Sequence, residues 1–461
     1  MPDVTADLVI LGGGSGGYAC ALRAAQLGQS VVLIEKDKLG GTCLHNGCIP
    51  TKALLHAAEV ADAARKGAAF GVRTEVLGID MKGVNDYKNS VVSKLFRGLQ
   101  GLVKSRSIQL VSGTGRFVGS KSVEVDGQIY KGKNIVLATG SYARTLPDVE
   151  TNERVVTSDR ALQLDEVPNR VVVLGGGVIG VEFASVWRSF GTEVTVVEAL
   201  PRLVPHEDQF VSKHLERALG RRGINIKTDT KMVEVKCAPD SVTVVLDSGE
   251  EISADLLLIA VGRGPNTSGA GFEEAGVEMV RNFVVTDETL QTNLPGVYAV
   301  GDIVPGLQLA HRGFQQGIFV AEYLAGLNPR AIDEDGIPRV TYCEPEVASV
   351  GLTEEAARAK YGDVDTVTYD LAGNGKSQIL RTQGAIKLVR ARAEQQNRGA
   401  IVGIHMVGAR VGEMIGEAQL IFNWEAEVDD VTPFIHAHPT QNEALGEAIS
   451  ALAGQPLHAH G

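Results

Sequence analysis

Leu8–Glu35 reads LVILGGGSGGYACALRAAQLGQSVVLIE, and Val171–Glu198 reads VVVLGGGVIGVEFASVWRSFGTEVTVVE. The two stretches align without a gap at an offset of 163 residues. Each has an apolar run of strand length, a G-x-G-x-x-G turn, an amphipathic helical stretch, a second apolar run and a closing acid. Gly12, Gly14, Gly17 and Glu35 correspond to Gly175, Gly177, Gly180 and Glu198. The pattern predicts a βαβ dinucleotide-binding unit, built twice. The first glycine allows the tight strand-to-helix turn, and the second lets backbone N–H groups approach a pyrophosphate. The third lets helix and strand pack closely, and the helix dipole favours the phosphate charge. The acid that ends the second strand is placed to accept hydrogen bonds from an adenosine ribose. At the second unit, Glu198 suits the free 2′-hydroxyl of NAD and repels the 2′-phosphate of NADP. Arg202, four residues on, is a single cation beside an acid and makes a poor phosphate pocket.

Working outward from this repeat, the chain has 461 residues, enough for roughly three domains. Glycine accounts for 54 of them, about 12% against a usual value of about 7%. These glycines are spread along the whole chain, which excludes collagen-like and low-complexity readings. The net charge of −12 argues against a nucleic-acid partner. The longest apolar runs, such as Leu256–Val261, fall far short of the ~18 residues of a membrane span. Asp3 and Asp7 stand where a secretory leader would be basic and then apolar. Five cysteines (Cys20, Cys43, Cys48, Cys237 and Cys343) are too few and too scattered for a secreted disulfide framework. A reducing bacterial cytoplasm is the expected setting, without membrane association.

Four residues separate Cys43 and Cys48 in GGTCLHNGCIPTKALLHAAEVADAA. The spacing of Leu54, Leu55, Ala58 and Ala61 predicts a helix downstream. Five residues of ideal helix rise roughly 7.5 Å, beyond the ~4.4–6.8 Å Cα separation of a disulfide. A bridge therefore requires a distorted first turn, for which Gly47 and Pro50 supply the means. A helix N-terminus also lowers thiol pKa. Two buried thiols or half of a metal site are the alternatives, but no matching further ligands are evident and no metal is expected.

These residues identify the chain as resembling the pyridine nucleotide–disulfide oxidoreductases, from about Ala6 to about Leu452. The resemblance implies an α/β fold with two Rossmann-like domains, for FAD and NAD, and a C-terminal α/β dimerisation domain. The implied limits are 1–147 for the FAD domain, 148–270 for the NAD domain, 271–340 for the return to the FAD domain and 341–461 for the interface domain. TNLPGVYAVGD (Thr292–Asp302) is similar to the family's second flavin motif, with Asp302 on the ribitol chain. LATGS (Leu137–Ser141, with Thr139, Gly140 and Ser141) resembles the motif closing the first flavin segment. VGRGPN, carrying Gly262, resembles the exit from the NAD domain. Gly41, Thr42, Gly115 and Ala310 fall at flavin-contact positions and Met232 at an adenine-side position. Lys52 is implied to pair with Glu182 beside the flavin.

The family motif also matches HAHPTQNEA, His436–Ala444. Pro439 is placed to start a helix, with His438 at its beginning and Glu443 within its first turns. A carboxylate on one ring nitrogen fixes the tautomer and leaves the other nitrogen as a base. The resemblance implies that this dyad serves the partner subunit's site in a homodimer. His436 is expected to support the loop, and His311 to pack near the flavin. The implied reaction oxidises dihydrolipoamide on a lipoyl-bearing acyltransferase or glycine-cleavage carrier protein. Alternatives are a glutathione-type disulfide reductase, an NADH-dependent quinone or dye reductase, and a structural nucleotide-binding subunit. No cysteine follows Cys343, which disfavours relatives with a C-terminal thiol pair. The chain departs from the family between the cysteines, where His45 is expected to lie outward, and at Thr51, which stands where serine is commoner.

Overall fold

The computed structural model describes residues 3–392 and 399–458. Strand Val4–Leu11, helix Ser15–Gln26 and strand Val31–Glu35 form the first repeat; Arg170–Leu174, Val178–Phe190 and Glu193–Val197 form the second. The strands of each repeat pair in parallel, with Leu8 opposite Val31 and Val171 opposite Val194. Leu8, Val9 and Ile10 are wholly buried, which is why the run carries no polar alternation: both faces of a parallel sheet are covered.

The first repeat extends into a seven-stranded sheet. Its parallel part runs Gln109–Ser112, Val31–Glu35, Val4–Leu11, Gln128–Leu137 and Val297–Ala299, and two short antiparallel strands flank it. Strand Val297–Ala299 joins only after the second repeat is complete. The second repeat is therefore inserted within the first unit's chain.

The inserted unit has a five-stranded parallel sheet in the order Asn225–Lys227, Glu193–Val197, Arg170–Leu174, Leu256–Ile259, Val155–Thr157. The longest apolar run of the sequence thus lies inside this sheet as a buried strand. Among the described residues, no helix is long and apolar enough to cross a membrane.

The C-terminal part is a five-stranded antiparallel sheet: Arg339–Thr341, Glu346–Gly351, Ile401–Gly408, Ala385–Ala391 and Val364–Asp370. Helices Val411–Asn423 and Glu443–Leu452 bury Met414, Ala418, Leu445 and Ile449 against Ile386, Leu388, Ile404 and Met406. The result is the mixed α/β architecture expected from the repeat.

One close approach fixes the geometry of the first unit. Helix Ala310–Leu324 crosses helix Ser15–Gln26 so tightly that a Cβ on Gly317 would lie 2.2 Å from the Gly16 carbonyl oxygen. Only glycine permits this contact, and it brings the Gly301–Ile303 turn beside the first G-x-G-x-x-G turn.

Candidate active site

The two glycine turns are near copies in three dimensions. Gly12 and Gly175 have φ of +111° and +109°, a left-handed conformation that L side chains avoid. A Cβ on Gly17 would lie 1.8 Å from the Gly12 carbonyl oxygen, and one on Gly180 would lie 1.9 Å from that of Gly175. Gly14 and Gly177 begin their helices without any side-chain cap, and a Cβ there would meet nothing within 4 Å. Each helix thus keeps its first-turn amides for an anion.

The closing acids are also equivalent. Glu35 accepts from the amides of Gly13 (2.7 Å) and Asp37 (2.8 Å), and Glu198 from those of Gly176 (2.6 Å) and Leu200 (2.8 Å). Each carboxylate oxygen takes one backbone donor and keeps a lone pair for a sugar hydroxyl. Arg202 donates to the carbonyls of Pro205 and Glu207 instead of offering itself to a 2′-phosphate.

The remaining flavin-motif residues form a connected cradle around the first turn. Gly40 donates to the Gly13 carbonyl, and a Cβ on Gly41 would lie 2.8 Å from Gly14 Cα. Arg263 ties three motifs together: it reaches Thr42 Oγ1 (3.4 Å), Ser141 Oγ (2.8 Å) and the Ser141 carbonyl (2.9 Å). Ser141 Oγ in turn donates to Asp302. Thr139 Oγ1 donates to the Asn266 carbonyl at 2.7 Å, which joins LATGS to VGRGPN. Gly140 and Gly262 take positive φ of +75° and +101° in the same connection. Ala310 opens the helix that crosses Ser15–Gln26. Gly115 is packed against Leu11, Ile34 and Val123 at the ends of the first sheet. Met232 packs in the second unit, against the cluster that holds Leu174 and Val197.

The cysteines do not share a distorted helical turn. Cys43 belongs to a short helix, Gly41–His45, and Cys48 begins a separate one, Cys48–Lys66, with Gly47 at φ −152° and ψ −114° between them. The expected distortion is a full break, because Gly47 leaves helical space altogether. Thr51 donates its hydroxyl to the Gly47 carbonyl at 2.7 Å, closing the start of the second helix. His45 is not turned outward. Its Nε2 donates to the Leu39 carbonyl (3.0 Å) and its ring meets Phe96 edge-on at 5.0 Å.

Both cysteines are free thiols, and each acts on the other's acidity. Their acidities diverge. The hydrogen bond from Cys43 and the Lys52 charge draw the Cys48 pKa down to about 7, against burial and Glu182. The same hydrogen bond, reinforced by burial, holds the Cys43 pKa up, with Ser15 donating to Cys43 in opposition. Cys48 is the more acidic thiol of the pair. Burial lifts the nearby Tyr18 phenol to about 12, with help from both sulfurs.

Lys52 lies one helical turn from Cys48 and contacts both oxygens of Glu182, at 2.9 and 2.8 Å. Burial disfavours the ammonium, but Glu182 outweighs it, so the Lys52 pKa is raised. Glu182 is buried in helix Val178–Phe190 and also accepts from the Tyr342 amide at 2.9 Å. The Tyr342 ring lies under the ammonium, 4.7 Å from its centroid. The Lys52 ammonium therefore favours the ionised form of Cys48 and is itself bracketed by elements from all three parts of the chain.

His438 and Glu443 do meet: Nδ1 lies 2.8 Å from Oε2. The helix begins at Glu443, however, and not at Pro439. The His438–Pro439 peptide is cis, and residues 439–442 form a bend closed by Thr440 Oγ1, which accepts from the Glu443 amide at 3.2 Å. The Glu443 carboxylate is also held by Asn374 Nδ2 at 3.3 Å. Its side chain is 15% exposed while that of His438 is 72% exposed. The ring thus turns its Nε2 edge outward.

His436 supports this loop as expected, through Glu417 at 2.8 Å, a partner that Asn442 shares. His311 is exposed rather than packed: its Nε2 donates to the Pro338 carbonyl at 2.7 Å. Ser15, Arg263, Tyr342 and Asn374 were not singled out from sequence. Ser15 and Arg263 sit inside recognisable motifs, at positions where the pattern does not specify the residue, whereas Tyr342 and Asn374 meet partners remote in the chain.

The chain belongs to the pyridine nucleotide-disulphide oxidoreductase family: residues 6–317 match it, and residues 337–449 match its dimerisation domain. Its enzymes are oxidoreductases that use FAD and NAD, and the paired turns with their uncapped helix starts fit two dinucleotides. The chain is 40% identical to dihydrolipoyl dehydrogenase of Bacillus subtilis (strain 168), over 98% of this chain and 99% of that one. LpdA of Mycobacterium tuberculosis has the same fold, with a TM-score of 0.90 at 24% identity over 97% of this chain and 99% of that one. RclA of Escherichia coli, an HOCl-induced flavoprotein disulfide reductase, superposes with a TM-score of 0.87 at 28% identity. That alignment covers 98% of this chain and all of RclA.

Proposed function

We propose that this oxidoreductase converts protein-borne dihydrolipoamide to lipoamide through a Cys43–Cys48 redox disulfide, with NAD as final acceptor. The observation that carries the reading is the placement of Cys48 at a helix start one turn before Lys52, whose ammonium contacts both oxygens of buried Glu182, with the free thiol of Cys43 on the short helix just before it. The relatives named dihydrolipoyl dehydrogenase over nearly the full chain support the choice of substrate.

Gly12, Gly14, Gly17 and Glu35 would hold the adenosine and pyrophosphate of FAD, with Thr42, Ser141 and Asp302 along its length. Gly175, Gly177, Gly180 and Glu198 would do the same for NAD. Bound FAD supplies the acceptor for the two electrons left on the cysteine pair, and bound NAD the carrier that removes them as hydride.

The chain's own residues do the thiol chemistry. His438 of the partner subunit takes the proton from one substrate thiol, and Glu443 steadies the imidazolium. The resulting thiolate attacks Cys43 Sγ; the Cys43–Cys48 bond breaks and Cys48 leaves as a thiolate. The depressed Cys48 pKa makes it the better leaving group, and Lys52 receives its charge. The second substrate sulfur then attacks the first, closes the lipoamide ring and releases Cys43. One substrate proton ends on Cys43 and the other leaves to solvent through His438.

The dimerisation-domain match and the outward-facing imidazole support a homodimer in which each dyad serves the other subunit's cysteines. The lipoyl group would arrive on an acyltransferase or glycine-cleavage carrier protein, in the cytoplasm of a bacterium. We take residues 1–147 and 271–340 as the FAD domain, 148–270 as the NAD domain and 341–461 as the interface domain. The test compares kcat/KM for dihydrolipoamide with NAD against glutathione disulfide with NADPH. The first pair is expected to win by orders of magnitude; preference for the second would overturn the reading.

A further inference from the structure

Asn374 is 2% exposed, deep in the C-terminal part, 69 residues from Glu443 in the chain. Its side-chain oxygen accepts from the Ser377 amide at 2.8 Å and caps helix Gly375–Leu380. A backbone N–H can only donate, so this bond fixes which end of the amide is which. The Nδ2 end therefore points the other way, toward Glu443 Oε1 at 3.3 Å and the Thr440 carbonyl at 3.0 Å. Glu443 Oε2 is the oxygen that meets His438. Both carboxylate oxygens are thus engaged, one by the imidazole and one by Asn374, and the plane of the carboxylate is set.

The capped helix is itself anchored to the same bend. Ser377 Oγ donates to Gln441 Oε1 at 2.9 Å, and Gln441 Nε2 donates to the Ala409 carbonyl at 2.9 Å. Gly375 lies against the dyad from the same side: a Cβ there would be 3.8 Å from His438 Cε1. A buried, correctly oriented donor therefore reaches the dyad from a rigid support.

We infer that Asn374 is a positioning residue for the His438–Glu443 dyad, aiming the carboxylate that in turn aims the imidazole. This inference rests on the proposed role of His438 as the base toward the substrate thiol. The hydrogen bonds of Asn374 run to Glu443, Thr440 and Ser377, so its reach to the imidazole is through Glu443. Glu443 also acts on Tyr369 on the neighbouring strand and on His436, while Glu447 acts on the same tyrosine. None of these donates to Glu443 Oε1, so losing Asn374 leaves that oxygen without its orienting partner.

The test uses the holoenzyme dimer and three variants, Asn374→Asp, Asn374→Ala and His438→Gln, read by kcat/KM for dihydrolipoamide against pH and by Tm. Aspartate keeps the capping oxygen for Ser377 but removes the donor and sets a second carboxylate against Glu443. Positioning therefore predicts that N374D and N374A both lose about ten- to a hundredfold in kcat/KM. A purely capping role predicts that N374D keeps the wild-type rate while N374A loses Tm. N374D within twofold of wild type overturns the inference, and it does so even if N374A fails to fold. His438→Gln separates the two levels: wild-type kcat/KM in that variant would sink the base assignment itself. A large loss in H438Q beside a wild-type N374D sinks only the positioning role.

Discussion

Nδ1 of His438 stands 2.8 Å from Oε2 of Glu443, with the carboxylate sheltered and the ring largely exposed. An imidazole held this way keeps its outer nitrogen free to take a proton, and its orientation is enforced from behind. His438→Gln should lower dihydrolipoamide turnover by about a hundredfold to ten-thousandfold, the usual worth of a positioned base. Steady-state kcat at saturating NAD measures this.

The Lys52–Glu182 pair makes a prediction about acidity. With the Cys48 pKa drawn down to about 7, alkylation of the reduced enzyme by iodoacetamide should accelerate as pH rises through that value. Lys52 favours the thiolate, so Lys52→Met should move the profile upward by about one pH unit. Mass-spectrometric rates at Cys48 across pH 5–10 (roughly the span of thiol titration) check the shift and its sign.

Gly180 predicts a separation of the two nucleotide sites. A Cβ at Gly180 would lie 1.9 Å from the Gly175 carbonyl oxygen, and neither atom has room to retreat without opening the turn. Gly180→Ala should cost about 3 kcal/mol in local stability and raise the KM for NAD steeply, while the first unit still takes up FAD. Flavin absorbance of the purified variant and NAD titration of its activity measure the two effects separately.

Glu198 accepts from the amides of Gly176 and Leu200 beside the second glycine turn, and is proposed to take the NAD ribose. Glu198→Ala should weaken NAD use by about tenfold or more and narrow its preference over NADP, since the carboxylate both binds the 2′-hydroxyl and repels a phosphate. Paired kcat/KM values for NAD and NADP report the change.

What could be read from the sequence followed from how local each signal is. The two dinucleotide units were legible because turn glycines, apolar runs and closing acids all fall within 28 consecutive residues. The break between the cysteines was only half legible: Gly47 announced unusual backbone, but not that Cys43 and Cys48 start from different helices. Pro439 looked like a helix start, yet it closes a bend and the helix waits for Glu443. His45 looked solvated because Phe96, its partner, lies 51 residues away on helix Met81–Ser105. Contacts between separate segments were legible only where the family resemblance carried them, as for Lys52 and Glu182 across 130 residues. Arg263 reaches Thr42 across 221 residues, and Asn374 reaches Glu443 across 69, distances over which no periodicity carries information.

The most direct test of the central claim is turnover by Cys48→Ser. A serine there preserves shape but removes the sulfur that must leave when substrate attacks Cys43, and with it the route for electrons out of the thiol pair. The account predicts that the variant binds FAD and reduces an artificial dye with NADH, while dihydrolipoamide-dependent NAD reduction disappears. Unchanged dihydrolipoamide turnover in Cys48→Ser would contradict it.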